Sequence, residues 1–409
     1  MNRLMKQSDS SEKKVTFLIF TRIFQMFVEF IDIEIGKERI MKFIINSGCF
    51  YEAISTLSRS VLARPIPQIL CGIKVVAHSE GLTLIVSNHN FFLKKELFVN
   101  EGNLEIIEKG SFVAPAKYLA ELIKKLPGEI TVETGDNNKL IIKADEIKIQ
   151  LNGLNVDEYP SLPKVNSDET VQLQANHLHE MVKQTVFAAS VNDSRQVLTG
   201  ISISFLNNKL RCAATNSHRL SMSELDFESP IAGSYIIPLN SIREFIRFFN
   251  DSTVTIHVSE NYFVFESQDL SLYSRLIEGN YPDLSSIIPS ESKTSMILST
   301  RKLLNAIDRA SLFTRDTSRN KVKLSVSEGR LMVASYSSDL GGTEETIPIR
   351  ELEGNPEILI SLNNSFLIDA LKSISDEEIV MSFSGSMRPV VIKPNSDKQH
   401  LQMISPVMG

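Results

Sequence analysis

Apolar positions along this chain keep two rhythms that alternate in a fixed order. At helical spacing, residues such as Leu178, Met181, Val182 and Val186 mark one face, and the spacing predicts helices over 46–63, 174–190 and 299–316. Each is followed by period-two stretches (GIKVVAHSEGLTLIVSN, GISISFLNNKLRCAATN, VKLSVSEGRLMVASYS) with a Gly or Asn turn signal at the centre, the pattern of a hairpin. A second helix comes next, over 115–126, 238–250 and 361–374. In the first two of these a proline, Pro115 or Pro238, is expected at the first helical position, where its missing N–H costs nothing. Each unit then closes with more alternating strands and a proline: Pro160, Pro282 and Pro406, which lie 122 and 124 residues apart. Three copies of helix, strands, helix, strands predict an α+β protein of three tandem domains, at 41–165, 166–290 and 291–409. Polar linkers (SLPKVNSDET, IIPSESKT) separate them.

The first 40 residues stand apart. Their seven basic and six acidic residues flank an apolar run with five Phe, and Arg22, Glu29 and Asp32 break that run short of the roughly 20 residues a membrane span needs. The expectation is an extension outside the fold, disordered or read from a wrongly assigned start, with Met41 opening the globular part. An amphipathic surface helix or a partner-binding tail is the alternative.

Composition is that of an ordinary globular chain of 409 residues, 42% hydrophobic and 22% charged. Three cysteines, Cys49, Cys71 and Cys212, form no CxxC pair, which fits a reducing compartment without structural zinc; no cofactor is expected. HExxH, P-loop, GxSxG and GxGxxG motifs are absent. Ser217 beside His218, and His177 with His179, are the only catalytic candidates. Neighbours on a strand face opposite ways, and i, i+2 on a helix share no face, so neither pair makes an active site. Net charge is −6, but the six helical segments, counted with Arg64 just past the first, together carry +6 and the remainder −12. If the helices share one surface, that surface is basic and the opposite one acidic, which draws a nucleic-acid duplex to the helical side. A domain of this size is about 18 Å in radius as a uniform sphere. Three in a ring leave a hole of about 3 Å radius and six leave about 18 Å, against about 10 Å for a duplex. An encircling protein therefore needs two chains, head to tail.

Several segments carry a family resemblance. ATNSHRLS (214–221) resembles the ATDGHRLA signature of the bacterial DNA polymerase III beta subunit, the sliding clamp, and EGNYPDLSSIIP (278–289) resembles its G-x-[FY]-P-[DN]…P segment. MKFIINSGCFYEAIS, RPIPQIL, SRQVLTG and SGSMRPVVIKP match in order, so the likeness spans 41–409. It implies three repeats of the DNA-clamp fold, helices lining the inside and antiparallel sheets outside, in a head-to-tail dimeric ring that catalyses nothing. Implied partners are double-stranded DNA without sequence specificity, the DNA polymerase III catalytic subunit, the clamp loader and other proteins with clamp-binding motifs; the implied location is the cytoplasm, at the nucleoid. The alternatives are a divergent accessory clamp serving repair or specialised polymerases, and a clamp-like interaction protein.

The resemblance also implies a partner-peptide pocket between the second and third domains. Its residues here are Leu198, Thr215, Ser217, His218, Arg219, Leu220, Pro282, Ile287, Asn363, Phe366, Met387, Pro389, Met403, Ser405, Pro406 and Val407, with Asn363 and Phe366 on a helix. DNA contact is expected from Arg64, Lys117, Lys124, Lys125, Arg243, Arg247 and Arg309, with Arg195 near a DNA-contacting loop. Leu122, Leu126, Leu303 and Ile307 are candidates for the subunit interface, although their spacing suits a core role equally. Three departures from the family pattern bear on the pocket: Asn216–Ser217 stands for Asp–Gly, Ser405 for an apolar residue, and the tail MISPVMG lacks a basic residue.

Overall fold

The computed structural model describes residues 41–62, 65–99, 101–165, 169–250, 253–314, 320–396 and 399–407. The amino-terminal extension and Arg64 lie outside the described residues.

The first unit runs β1 (Lys42–Asn46), α1 (Ser47–Ser58), β2 (Gly72–His78), β3 (Gly81–Ser87), β4 (Phe91–Phe98), β5 (Glu105–Glu108), β6 (Gly110–Pro115), α2 (Ala116–Ile123), β7 (Glu129–Gly135), β8 (Lys139–Ala144) and β9 (Ile147–Asn152). The second repeats the order with β10 (Thr170–Gln174), α3 (Ala175–Thr185), β11 (Gly200–Leu206), β12 (Lys209–Thr215), β13 (Arg219–Asp226), β14 (Gly233–Pro238), α4 (Leu239–Phe248), β15 (Thr253–Val258), β16 (Tyr262–Glu266) and β17 (Leu270–Arg275). A short α5 (Leu284–Ile287) follows. The third has β18 (Thr294–Ser299), α6 (Thr300–Ser311), β19 (Lys321–Ser327), β20 (Arg330–Ser337), β21 (Gly341–Pro348), β22 (Glu351–Gly354), β23 (Leu359–Asn363), α7 (Asn364–Lys372), β24 (Glu378–Phe383), β25 (Val390–Pro394) and β26 (His400–Ile404).

Local chemistry explains the helix starts. The Asn46 side chain accepts from the Gly48 and Cys49 amides, and the Asn363 side chain from the Ser365 and Phe366 amides, satisfying donors that have no partner within α1 and α7. Pro115 and Pro238 sit one residue earlier than expected, in the capping position rather than inside the helix. The reason is that each is also the last rung of an edge strand, opposite Gly72 and Gly200 respectively. Asn207–Asn208 take left-handed φ of 55° and 57°, the two consecutive positive angles that a two-residue hairpin turn demands, and Asn137–Asn138, both at 58°, take the same region in the three-residue loop between β7 and β8. The first helices stop short of the apolar periodicity: α1 ends at Ser58, and α3 passes at Val186 into a single 3-10 turn.

Within each unit the two helices pack side by side against sheets, α1 with α2, α3 with α4 and α6 with α7. One buried cluster, including Phe43, Phe50, Phe245, Phe249, Phe263 and Phe265, runs through the first two units; a second, including Leu303, Ile307, Leu362 and Met381, fills the third. Leu303 and Ile307 are 0% exposed and Leu126 is also buried, so these three interface candidates are core residues of their own units. Their helical spacing points them inward at the sheets. Leu122 is half-buried.

The sheets do not end where the units end. An 8-stranded sheet runs β10-β15-β16-β17-β4-β3-β2-β6, joining the first and second units through β17 and β4. A 9-stranded sheet runs β14-β11-β12-β13-β26-β25-β24-β18-β22, joining the second and third through β13 and β26. The register is the same at both seams. The third residue of β4, Leu93, faces the third of β17, Leu272, just as the third of β13, Ser221, faces the third of β26, Gln402. The equivalent strands of the first and third units, β9 and β21, are sheet edges with no neighbour on that side among the described residues.

Candidate partner site and helical face

The seam between the second and third units has two unlike faces, because side chains on β13 and β26 alternate. On the helical face, Ser221 donates to the Gln184 carbonyl (2.6 Å), Ser223 to the Gln184 side chain (2.7 Å), and Gln402 reaches both the Gln184 carbonyl and Ser373. Arg219 anchors this layer. Its guanidinium donates to Asp369 (2.6 Å) and to the Phe187 carbonyl, and lies 4.5 Å from the Phe366 ring centre and 5.3 Å from that of Phe187. Asp369 and Phe366 belong to the third unit and Arg219 to the second, so this side chain ties the two together.

The opposite face is apolar. Leu220 and Met222 of β13, Leu401 and Met403 of β26, Val391 of β25, Ala213 of β12 and the segment Tyr281, Leu284, Ile288 form one cluster. Burial pushes the Tyr281 phenol well above the ordinary tyrosine range. Beside this cluster Ile287, next to Ile288, is 41% exposed, and Met387, in the turn before β25, is 63% exposed. Pro282, Pro389, Ser405, Pro406 and Val407 are half-buried. The tail is pinned over this region: the Ser405 amide donates to the His218 carbonyl (2.8 Å), and the Val407 amide to the Ser361 carbonyl (2.9 Å).

Most expected pocket residues therefore gather at one seam, but not in the same role. Leu220 is fully buried within the apolar cluster, Leu198 is fully buried but is not part of that cluster, and Thr215 donates to the Arg219 carbonyl (2.7 Å). Asn363 is the last residue of β23 and caps α7 rather than lying in it. Arg219 points to the helical face, away from the apolar cluster. Ser217 and His218 lie in the turn before β13, not on a strand as expected. The turn is held by the Asn216 side chain, which accepts from the His218 and Arg219 amides. Ala213, Met222, Leu284, Ile288, Val391 and Leu401 were not expected here; the period-two alternation within β13 and β26 is the signal that carries several of them.

The same turn occurs at the first seam. Asn88 accepts from the Asn90 and Phe91 amides there, 128 positions before Asn216. The apolar face of that seam is filled by its own chain, with Tyr159 buried and donating to the Gly72 and Ile85 carbonyls at 3.3 and 3.2 Å.

Of the cations expected to meet DNA, Lys117 on α2, Lys124 and Lys125 just past its end, and Arg243 on α4 are exposed. Lys124 sits 5.8 Å from the Tyr51 ring centre. Arg243 lines a 440 Å³ cavity with Asn90, Asn192, Asp193 and Asn240. Arg247 and Arg309 are already paired. Arg247 reaches Glu244 (3.0 and 3.1 Å), which also accepts from Ser60 (2.6 Å) across the first seam. Arg309 makes a two-pronged contact with Glu345 of β21 (2.6 and 2.9 Å). Arg195 is turned to the second seam, where it donates to Ser217 (2.7 Å) and to Asp193.

Among the described residues no group of three or more His, Cys, Asp or Glu side chains could hold a metal ion, and no helix is long and apolar enough to cross a membrane.

Three family models match in succession: the DNA polymerase III beta subunit N-terminal domain over residues 41–163, its central domain over 172–283 and its C-terminal domain over 285–408. The beta sliding clamp of Bacillus subtilis (strain 168) is 35% identical over 376 residues, covering 90% of this chain and 99% of the relative. That of Halalkalibacterium halodurans is 35% identical over 378 residues, covering 90% and 99%. The crystal structure of the Bacillus subtilis DNA polymerase sliding clamp superimposes with a TM-score of 0.85 at 34% identity, again covering 90% and 99%. The Streptococcus pneumoniae DNA polymerase III beta chain gives 0.86 at 29% identity over 90% and 100%. With three successive units of one design, two like-registered seams and these matches along nine-tenths of its length, the chain belongs to the DNA polymerase III beta subunit family, the beta sliding clamps.

Proposed function

We propose that this chain is a DNA sliding clamp: two copies join head to tail into a ring around duplex DNA, hold DNA polymerase III on its template and catalyse no reaction themselves. The observation that carries the reading is the repeated seam. Two of the three strand pairings that each chain needs in a closed six-domain ring are made internally with one register, and the strands for the third, β9 and β21, are left as open edges. Counting from the strand starts, the same register sets Ile149 opposite Thr343 and Lys148 opposite Glu344 between chains. The domain limits are taken at 41–165, 166–290 and 291–409. The exposed Lys117, Lys124, Lys125 and Arg243 supply loose phosphate attraction, which holds a duplex without reading its sequence and so permits sliding. The ring adds processivity by effective concentration, since a tethered polymerase stays near its template.

The apolar face of the second seam is the docking place for a linear peptide with a Leu or Phe anchor, shared by the polymerase catalytic subunit, the clamp loader and other proteins with clamp-binding motifs. The cellular location is the cytoplasm, at the nucleoid. The test is retention on DNA after loading by a clamp loader. Release from nicked circular DNA much slower than from linear DNA is expected; equal rates from both would refute topological linkage.

A further inference from the structure

The 4-stranded sheet of the third unit ends in β23, whose outer edge can still take an added strand. The Val326 amide donates to the Ile358 carbonyl (3.2 Å), and β19 pairs with β23 in that register, Leu324 opposite Ile360 and Ser325 opposite Leu359. Hydrogen-bonded pairs alternate along an antiparallel ladder. Ile358 and Ile360 therefore turn their N–H and C=O groups to β19, while Leu359 and Ser361 turn theirs outward. The Ser361 carbonyl already holds the Val407 amide of the tail at 2.9 Å, so a second backbone does pair along this edge. Two residues away, about 7 Å along the strand, the Leu359 groups have no backbone partner among the described residues, and its side chain is 57% exposed.

A 460 Å³ cavity opens beside that free stretch. Val326, Ile358, Ile360 and Phe383 give it an apolar lining, and the exposed Ser386 forms part of its wall. The strap from β22 to β23 makes room for it. Residues 355–358 form that connection, whereas the equivalent one in the first unit, from β5 to β6, is Lys109 alone. Hydrogen bonds fix the strap. Thr294 donates to the Asn355 carbonyl (2.6 Å), the Asn355 amide to the Lys293 carbonyl (3.2 Å), and the Glu357 amide to the Asn355 side chain (2.9 Å). The chain links this place to the docking face of the second seam twice: Ser386 precedes Met387, and Ser361 holds the tail.

We infer that the free edge of β23 and the cavity beside it form an accessory peptide subsite. An extended segment that continues from a partner's Leu or Phe anchor adds a short strand at Leu359 and lays a second, branched apolar side chain in the cavity. The inference deepens the peptide-docking reading given above and rests on it. Backbone pairing gives affinity to any extended sequence, and the cavity gives the selection.

Fluorescence anisotropy of the full chain tests it with labelled peptides that share one Leu–Phe anchor. One peptide is the anchor alone. The others add, at either end, a Gly/Ser linker of about two to six residues, each spanning about 3.3 Å, and then Val-Leu-Val or Gly-Ser-Gly. At one end and one linker length the Val-Leu-Val peptide should bind about tenfold more tightly than its Gly-Ser-Gly counterpart, the factor that burying one Leu side chain gives. L359P takes away an outward N–H and leaves the bonds to β19, a change that an edge strand tolerates. It should abolish the gain while binding the anchor peptide as wild type does. S386W, which fills the cavity from its exposed wall, should abolish the gain as well. A gain absent at both ends and all lengths, or one kept in either variant, overturns the subsite. An anchor peptide that wild type does not bind overturns the docking reading instead.

Discussion

Reversing the charge of Lys148 isolates the seam between chains. If β9 of one chain pairs with β21 of another in the register shared by both internal seams, Lys148 comes to stand directly opposite Glu344, whose carboxylate already accepts from the Tyr336 hydroxyl. Opposite charges facing each other across an antiparallel pair contribute about 0.2–1 kcal/mol, and like charges cost a similar amount. K148E replaces one with the other, so each seam loses about 0.4–2 kcal/mol. A head-to-tail dimer closes through two such seams, which doubles the loss to about 0.8–4 kcal/mol. The dimer dissociation constant should therefore rise between about fourfold and several-hundredfold. Sedimentation velocity over a dilution series at low salt reads this directly, because both groups are exposed and salt screens them. E344K alone should weaken the dimer to a similar degree, and K148E/E344K should restore it. A K148E dimer as tight as wild type, or a double variant no tighter than either single, refutes the register.

Three further outcomes follow from the packing. R219A removes two ring contacts and the donor to the Phe187 carbonyl from the second seam, and should destabilise that seam by about 2–3 kcal/mol. Faster amide exchange in β13 and β26 than in β2 and β3 is the readout, and R219K should fail to rescue because an ammonium lacks the planar fork. Cys212 is fully buried and its thiol is pushed up to about 12 by burial, so the native chain at pH 8 should leave it unalkylated by iodoacetamide, with mass spectrometry finding it labelled only after denaturation. Burial pushes the Glu224 carboxyl up, but hydrogen bonds from Lys209 and Arg211 outweigh it and hold its pKa below the ordinary value. A depressed pKa gives stability that is complete above the unfolded value, about 4.3, and is lost as pH falls through the folded one. Wild type should therefore lose more melting temperature than E224Q between pH 6 and pH 3.

The triplication could be read from the chain because each unit repeats local signals: a cap or proline, a helical stripe, two-residue turns such as Asn207–Asn208. What joins the units could not. β13 pairs with β26 across some 180 residues, and nothing local to HRLSMSELD distinguishes an edge strand from one with a neighbour. For the same reason Leu303 and Ile307 fitted an interface as well as a core until the sheets behind them were placed. Arg219 was legible as part of a motif, but its direction was not: the neighbours Asp369 and Phe366 come from another unit. The bond from Arg195 to Ser217 has no sequence signature, since it depends on the turn before β13 folding back over a loop 22 residues away.

A seam that joins unlike edges has no built-in stopping number. The proposed pairing of β9 with β21 would satisfy each chain whether the partner's far end comes back to meet it or continues outward, so hydrogen bonding alone permits an endless filament as readily as a closed dimer. What selects closure is bend. In the proposed ring six joints would together complete one full turn, about 60° apiece, and four of them would be built into the two chains before they meet. Small changes in strand twist at Leu93–Leu272 or Ser221–Gln402 would thus alter how many molecules assemble without touching the surfaces by which they bind.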